Sequence, residues 1–291
     1  MKCLHILIIL LTPLINHAQP NTEVFLFDLN QEHGGFELSN FRNISNNEGY
    51  DNQPSFPDNN TMLYSGTRNG QTDIVEYNIA NGEKRWVCNT EGSEYSPLKI
   101  PGQDAISAIR LDKDGTQLLR KYSLQKGASD VLIDDLVIGY QVWFNETILV
   151  ATVLEEDYMS LYTSNLKKNQ NYRWQKKVGR SLHKIPHSEL VSYISKEKDS
   201  VWEIKALDPI SGNTTYLFNT LPNTEDMCWL SDGTALMAND GVLYGFHMIR
   251  DDDWVKLASL SEYGIKNITR LAVSPDGTKL AVLGETSNNS K

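Results

Sequence analysis

Cysteine is nearly absent from this chain: there are three among 291 residues, at Cys3, Cys88 and Cys228. So sparse a set excludes the disulfide-dense scaffolds of small secreted domains. Long apolar runs are missing as well. The one sustained run, residues 4–15, is about 12 residues long, against the roughly 20 that a membrane-spanning helix needs. Basic residues are in deficit, with 27 Lys and Arg against 37 Asp and Glu and a formal net charge of −10. That deficit opposes binding to nucleic acid, which rests on basic patches, and docking on anionic lipid. Beyond the N-terminus no segment carries helical periodicity. The chain also lacks the Gly-x-Ser-x-Gly elbow of serine hydrolases.

Residues 1–18 read as a cleaved signal peptide. Lys2 supplies the charged start, the apolar run follows, and Ala18 precedes the cut. Cys3 lies ahead of the run, whereas the modified cysteine of a bacterial lipoprotein lies behind it. The mature protein is therefore expected to be periplasmic or secreted, a monomer, and not inserted in a membrane. It keeps Cys88 and Cys228. The repeat map below places these on different units at different strand positions. A disulfide needs Cα atoms within about 7 Å, so two buried, unpaired thiols are expected.

What the chain does have is a repeat. Its clearest copy is residues 271–283, Leu-Ala-Val-Ser-Pro-Asp-Gly-Thr-Lys-Leu-Ala-Val-Leu. Ser274, Pro275, Asp276 and Gly277 suit a type I turn, and the apolar flanks suit strands buried on both faces. Corresponding turns fall at Asp58, Gly102, Asn145, His187, Asp232 and Asp276, at intervals of 44, 43, 42, 45 and 44 residues. A period of about 40–45 residues with four short strands per unit is that of a propeller blade. The spacing predicts inner strands at residues 53–56, 96–101, 141–144, 182–186, 227–230 and 268–273. The last unit holds only two strands before the chain ends. Residues 23–29 resemble the third strand at 73–79, and 36–41 supply a fourth. The expected fold is all-β: a six-bladed β-propeller of four-stranded blades over residues 19–291, its last blade closed by strands from both termini. The competing architecture is a β-sandwich rich in hairpins.

Residues 53–58 (Gln-Pro-Ser-Phe-Pro-Asp) through 73–78 (Asp-Ile-Val-Glu-Tyr-Asn) resemble the TolB-like propeller repeat, and residues 274–281 match its core closely. Blades three and four depart from the pattern, with Asn145-Glu146 and His187-Ser188 in place of Asp-Gly. The resemblance covers nearly the whole mature chain. It implies an exported six-bladed propeller, commonly a binding scaffold. TolB itself has a further N-terminal α/β domain, so its particular role is not transferred.

Propellers bind at a mouth of the central channel, on loops that rigid blades hold in place. The loops entering the inner strands carry Tyr50, Asp51, Glu94, Tyr95, Tyr140, Arg180, His183, Glu225, Asp226, Lys266 and Asn267. Aromatic and arginine side chains are favoured anchors for a partner. A protein or peptide partner at this mouth is the leading expectation, with no catalytic residue, metal or cofactor. Two alternatives stay open. One is a metal-dependent hydrolase or lyase using Glu225, Asp226 and Asn267. The other is a glycan or small-ligand sensor with stacking tyrosines. Asp112-x-Asp114-Gly115 is read as a hairpin turn rather than a calcium loop, and Asp251-Asp252-Asp253 as a solvated hairpin tip.

Overall fold

The computed structural model describes residues 21–31 and 35–286. The expected signal peptide and its cut after Ala18 lie outside the described residues, as does Gly34 of the expected turn at 34–35. Among the described residues no helix is long and apolar enough to cross a membrane.

The chain begins with β1 (Glu23–Asn30) and β2 (Glu37–Asn43), an antiparallel pair. It then lays down five four-stranded antiparallel sheets in sequence order. Blade one is β3 (Asn52–Ser55), β4 (Thr61–Arg68), β5 (Gln71–Asn78) and β6 (Lys84–Trp86). Blade two is β7 (Ser93–Lys99), β8 (Ala105–Leu111), β9 (Gln117–Ser123) and β10 (Ser129–Ile133). Blade three is β11 (Ile138–Trp143), β12 (Ile148–Leu154), β13 (Met159–Asn165) and β14 (Gln170–Lys176). Blade four is β15 (Val178–Lys184), β16 (Val191–Ser195), β17 (Glu203–Leu207) and β18 (Thr214–Asn219). Blade five is β19 (Met227–Trp229), β20 (Ala235–Asn239), β21 (Val242–Phe246) and β22 (Val255–Ser259). Finally β23 (Ile265–Val273) and β24 (Lys279–Thr286) join the first two strands in the order β2-β1-β24-β23. Each inner strand touches the next around a closed ring, with β23 meeting β3. This is a six-bladed propeller whose last blade takes two strands from each end, as the repeat predicts. The sandwich is excluded.

Side-chain alternation explains how the ring is held together. Successive residues of a strand point to opposite faces, and each face of a blade meets a different neighbour. In β1, Val24 and Leu26 pack on Met62 and Tyr64 of blade one, while Phe25 and Phe27 pack on Leu236 and Leu243 of blade five. In β20, Ala235 and Met237 face blade four, while Leu236 and Ala238 face blade six. Among the described residues the apolar core is accordingly six clusters, one at each junction between blades. A strand covered on both faces needs an unbroken apolar run rather than alternation, and that is the pattern of residues 280–283 in β24. Hydrogen bonds across blades repeat with the fold. Trp143 Nε1 donates to Ser107 Oγ of the preceding blade at 2.8 Å, and Trp229 Nε1 donates to Ser192 Oγ at 2.9 Å.

The turn that marks the repeat has the expected chemistry. Gly277 sits at φ 72°, where a side chain would be strained. Its N–H donates to Ser274 O at 2.9 Å. The Asp276 carboxylate accepts from Ser274 Oγ at 2.6 Å and from Thr278 N at 3.0 Å. At residues 112–115 the Gly115 N–H donates to Asp112 O, and the Asp112 carboxylate is taken by Arg110 at 2.6 Å, so this is a hairpin turn. Asp252 and Asp253 are solvated as expected, whereas Asp251 is half-buried and accepts the His247 N–H at 2.8 Å.

The inner strands correct the sequence reading. Four of them start three or four residues earlier than predicted, at Ser93, Ile138, Val178 and Ile265. The cause is a bulge in each, between Tyr95 and Leu98, Ile138 and Tyr140, Val178 and Leu182, and Lys266 and Arg270. A fifth shift lies in β3, between Asn52 and Ser55, and Gln53, Ser96 and Asn267 take positive φ at these irregularities. A bulge breaks the two-residue period, so the first half of each strand resembles a loop in sequence.

Candidate functional site at the central channel

The bulges turn side chains toward the propeller axis. There they line a cavity of about 110 Å³ to which all six inner strands contribute, including Gln53, Ser96, Gln141, Arg180, Asp226 and Arg270. Asp226 is its electrostatic centre. The carboxylate accepts from Arg180 Nε at 2.8 Å and from Arg180 Nη2 at 2.5 Å, a two-pronged pairing. Arg270 Nη1 reaches the same carboxylate at 2.6 Å, and its guanidinium lies 5.6 Å from the Tyr140 ring centroid. Glu225 accepts from the Arg180 backbone N–H at 3.0 Å and pairs with Lys196 at 2.8 Å. Burial alone would raise the Glu225 carboxyl, but Lys196 and Arg180 outweigh it and hold the group below its ordinary range. Burial likewise opposes the Arg180 charge, and Asp226 and Glu225 overcome it, so Arg180 stays protonated.

His183 lies in the channel wall, where burial pushes its imidazole down to about 4, leaving the ring neutral at physiological pH. Its Nε2 sits 3.1 Å from Ser181 Oγ. His183 and His187 do have a His-x-x-x-His spacing. His183 is in β15 and His187 in the turn beyond it, so the spacing does not bring them together as it would on a helix: His187 Nε2 instead meets Ser231 O at 2.8 Å.

Of the residues expected at the mouth, Tyr140, Arg180, His183 and Asp226 line the cavity. Tyr50 and Tyr95 stand edge to face with ring centroids 6.1 Å apart, both half-buried. Burial pushes the Tyr50 phenol up to about 12 despite the nearby Arg270. Asn267 is exposed on β23, its N–H on Asp240 of the neighbouring hairpin at 3.2 Å. Lys266 is exposed beside it.

Asp51 and Glu94 require correction: both are buried between blades and present nothing at the mouth, with exposures of 1% and 0%. Asp51 accepts the Thr67 N–H at 2.9 Å, and Glu94 accepts from Tyr122 Oη at 3.0 Å and Thr90 Oγ1 at 2.6 Å. They are struts that tie the strand entrances to neighbouring chain. Arg270, Gln53 and Gln141 were missed. Arg270 stands six residues before Asp276, as Asp226 stands six before Asp232, so the repeat register marks it.

Asp51 gives a pH prediction. Burial, with the Glu23 carboxylate of β1 nearby, raises its carboxyl. Tyr64 of β4 also faces it, and Asp51 Oδ2 has no donor. The folded state therefore binds this proton more tightly than the unfolded chain, and its contribution is lost as pH rises through the raised value. Urea unfolding from about pH 4 to pH 8 should show Asp51→Asn losing less stability than wild type over that interval. Identical pH dependence in the two proteins would contradict this assignment.

No protein-family model matches the chain, and no curated protein matches it in sequence. Solved structures match it in fold. A protein assigned as TolB from Agrobacterium tumefaciens superposes with a TM-score of 0.69 at 10% identity, over 91% of this chain and 98% of that one. A chain of the nidogen/laminin complex gives 0.62 at 12% identity, over 91% and 98%. Oligogalacturonate lyase in complex with manganese gives 0.58 at 13%, over 91% and 86%. The protein is thus a six-bladed β-propeller. Within that class its fold is TolB-like.

Proposed function

We propose that the protein is an exported, non-enzymatic propeller scaffold that binds a protein or peptide partner at the channel mouth. The observation that carries this reading is the combination of a shallow aromatic mouth with a small charged cavity. The cavity of about 110 Å³ falls short of the roughly 300–1,000 Å³ of small-molecule sites. It is large enough for one inserted side chain, around which Tyr50, Tyr95 and Tyr140 supply rigid contact area. Arg180 and Arg270 against Asp226 leave the cavity lining with an excess positive charge, inside a chain of net charge −10. A partner inserting a carboxylate would find complementary charge there. The nidogen/laminin likeness shows that this fold occurs in a complex between proteins.

The lyase reading has weaker support. Glu225 and Asp226 are each held by cations, namely Lys196, Arg180 and Arg270, and that positive surrounding opposes a metal ion there. Of the three tyrosines only Tyr140 lines the cavity, with Tyr50 and Tyr95 outside its lining, which gives a sugar sensor with stacking tyrosines less support at this site.

A photo-crosslinking side chain placed at Tyr50 or Tyr140 tests the proposal. In cells it should trap one discrete partner band, absent when the same group replaces Tyr216 on the outer strand β18. Equal labelling at all three positions, or none at the mouth, would overturn it.

A further inference from the structure

Outside the channel, a polar cluster between blades one and two is incompletely satisfied. Asp73 of β5, Cys88 beyond β6 and Glu94 of β7 meet between blades one and two, all buried, with one ligand atom from each within 4.8 Å of the others. Cys88 Sγ lies 3.6 Å from Asp73 Oδ1. Asp73 Oδ2 accepts from Arg68 Nη2 and Gln71 Nε2, both at 3.1 Å. Glu94 Oε1 has its two hydroxyl donors, but Glu94 Oε2, wholly buried, has none.

We propose that Asp73, Cys88 and Glu94 form a binding site for a thiophilic divalent cation of the zinc type, which clamps blade one to blade two. A buried carboxylate oxygen without a donor costs free energy unless something positive faces it. The donor set identifies the cation's class. One sulfur with two carboxylates suits Zn²⁺, whereas Ca²⁺ and Mg²⁺ take oxygen alone. Charge also balances: two carboxylates and a thiolate are matched by a divalent ion and the Arg68 guanidinium, which is already on Asp73. Arg110 does not serve this purpose, since it is 3.9 Å from Glu94 and bound to Asp112. Without the ion, burial and the adjacent Asp73 raise the Glu94 carboxyl, and burial raises the Cys88 thiol. Binding would then release the thiol proton and any proton held between the carboxyls.

The test uses the folded chain with Zn²⁺ and Co²⁺ salts as probes. Dialysed wild type should retain one Zn²⁺ per molecule and melt at a higher temperature with zinc than with chelator. Co²⁺ should produce a sulfur-to-cobalt charge-transfer band. Cys88→Ser should abolish the band, Glu94→Gln should weaken zinc binding at least about tenfold, and Cys228→Ser, altering a separate buried thiol, should leave both unchanged. The wild-type cobalt spectrum decides even if a variant fails to fold. Absence of the band together with melting indifferent to zinc would overturn the site. A band lost in Cys228→Ser but kept in Cys88→Ser would overturn it too.

Discussion

Deletion of residues 21–43 should yield a chain that aggregates and shows no cooperative melt. Those residues are the third and fourth strands of the last blade. Val24, Phe25, Leu26 and Phe27 of β1 are at most 1% exposed and feed two inter-blade clusters. Burying such a side chain contributes about 1.5–3 kcal/mol, so four of them approach the whole net stability of a typical domain, about 5–15 kcal/mol. The backbone loss adds to this. β1 pairs with β24 from Glu23↔Gly284 to Asp28↔Lys279, and its removal would leave an apolar eight-residue strand as a free edge. Circular dichroism and gel filtration read the outcome. A truncated chain that stayed monomeric and melted as the intact one does would refute the shared blade. A graded version keeps the chain whole. Phe27 lies edge-on to Tyr263 at 5.0 Å and 5.3 Å from Phe41. Phe27→Ala should therefore cost about 3–5 kcal/mol in urea unfolding.

The shared blade was legible because it follows from a count. Turn residues at a constant spacing define the unit, and an incomplete last unit requires its complement elsewhere. Residues 23–29 supplied that complement by likeness to 73–79. The site was less legible, for a physical reason. Bulges destroy the two-residue period just where inner-strand side chains turn to the axis. Tyr95, Tyr140 and Arg180 thus looked like loop residues, although they belong to β7, β11 and β15. Charge misled in the same region. Asp51, Glu94 and Glu225 occupy nearly the same place in the repeat, yet the first two are buried struts and the third stands beside the channel with Lys196 and Arg180. An acidic side chain carries no mark of what will cover it. Arg270 was missed because it falls within residues 268–273, read as the inner strand itself rather than the loop entering it. Its repeat register with Asp226 shows that the two occupy equivalent places around one axis.

That pairing sets up the second large effect. Asp226→Ala should destabilise the protein by about 2–4 kcal/mol, because it strips two guanidiniums of their shared carboxylate at once. The side chains of Arg180, Asp226 and Arg270 are 28%, 13% and 16% exposed, so solvent repays part of the loss and the estimate stays below that for a fully buried pair. Replacing both arginines by methionine in the Asp226→Ala background should recover most of the stability. The damage is an uncompensated charge rather than a cavity, so the substitutions should be strongly non-additive. Additive losses across that cycle would show that Asp226 acts by packing. A small anion separates the two accounts further. Formate should raise the melting temperature of Asp226→Ala and not that of wild type, with chloride at equal ionic strength as control. Two guanidiniums that hold a carboxylate of their own chain can hold another in its place, and that same capacity is what a partner's carboxylate would use at the mouth of the channel.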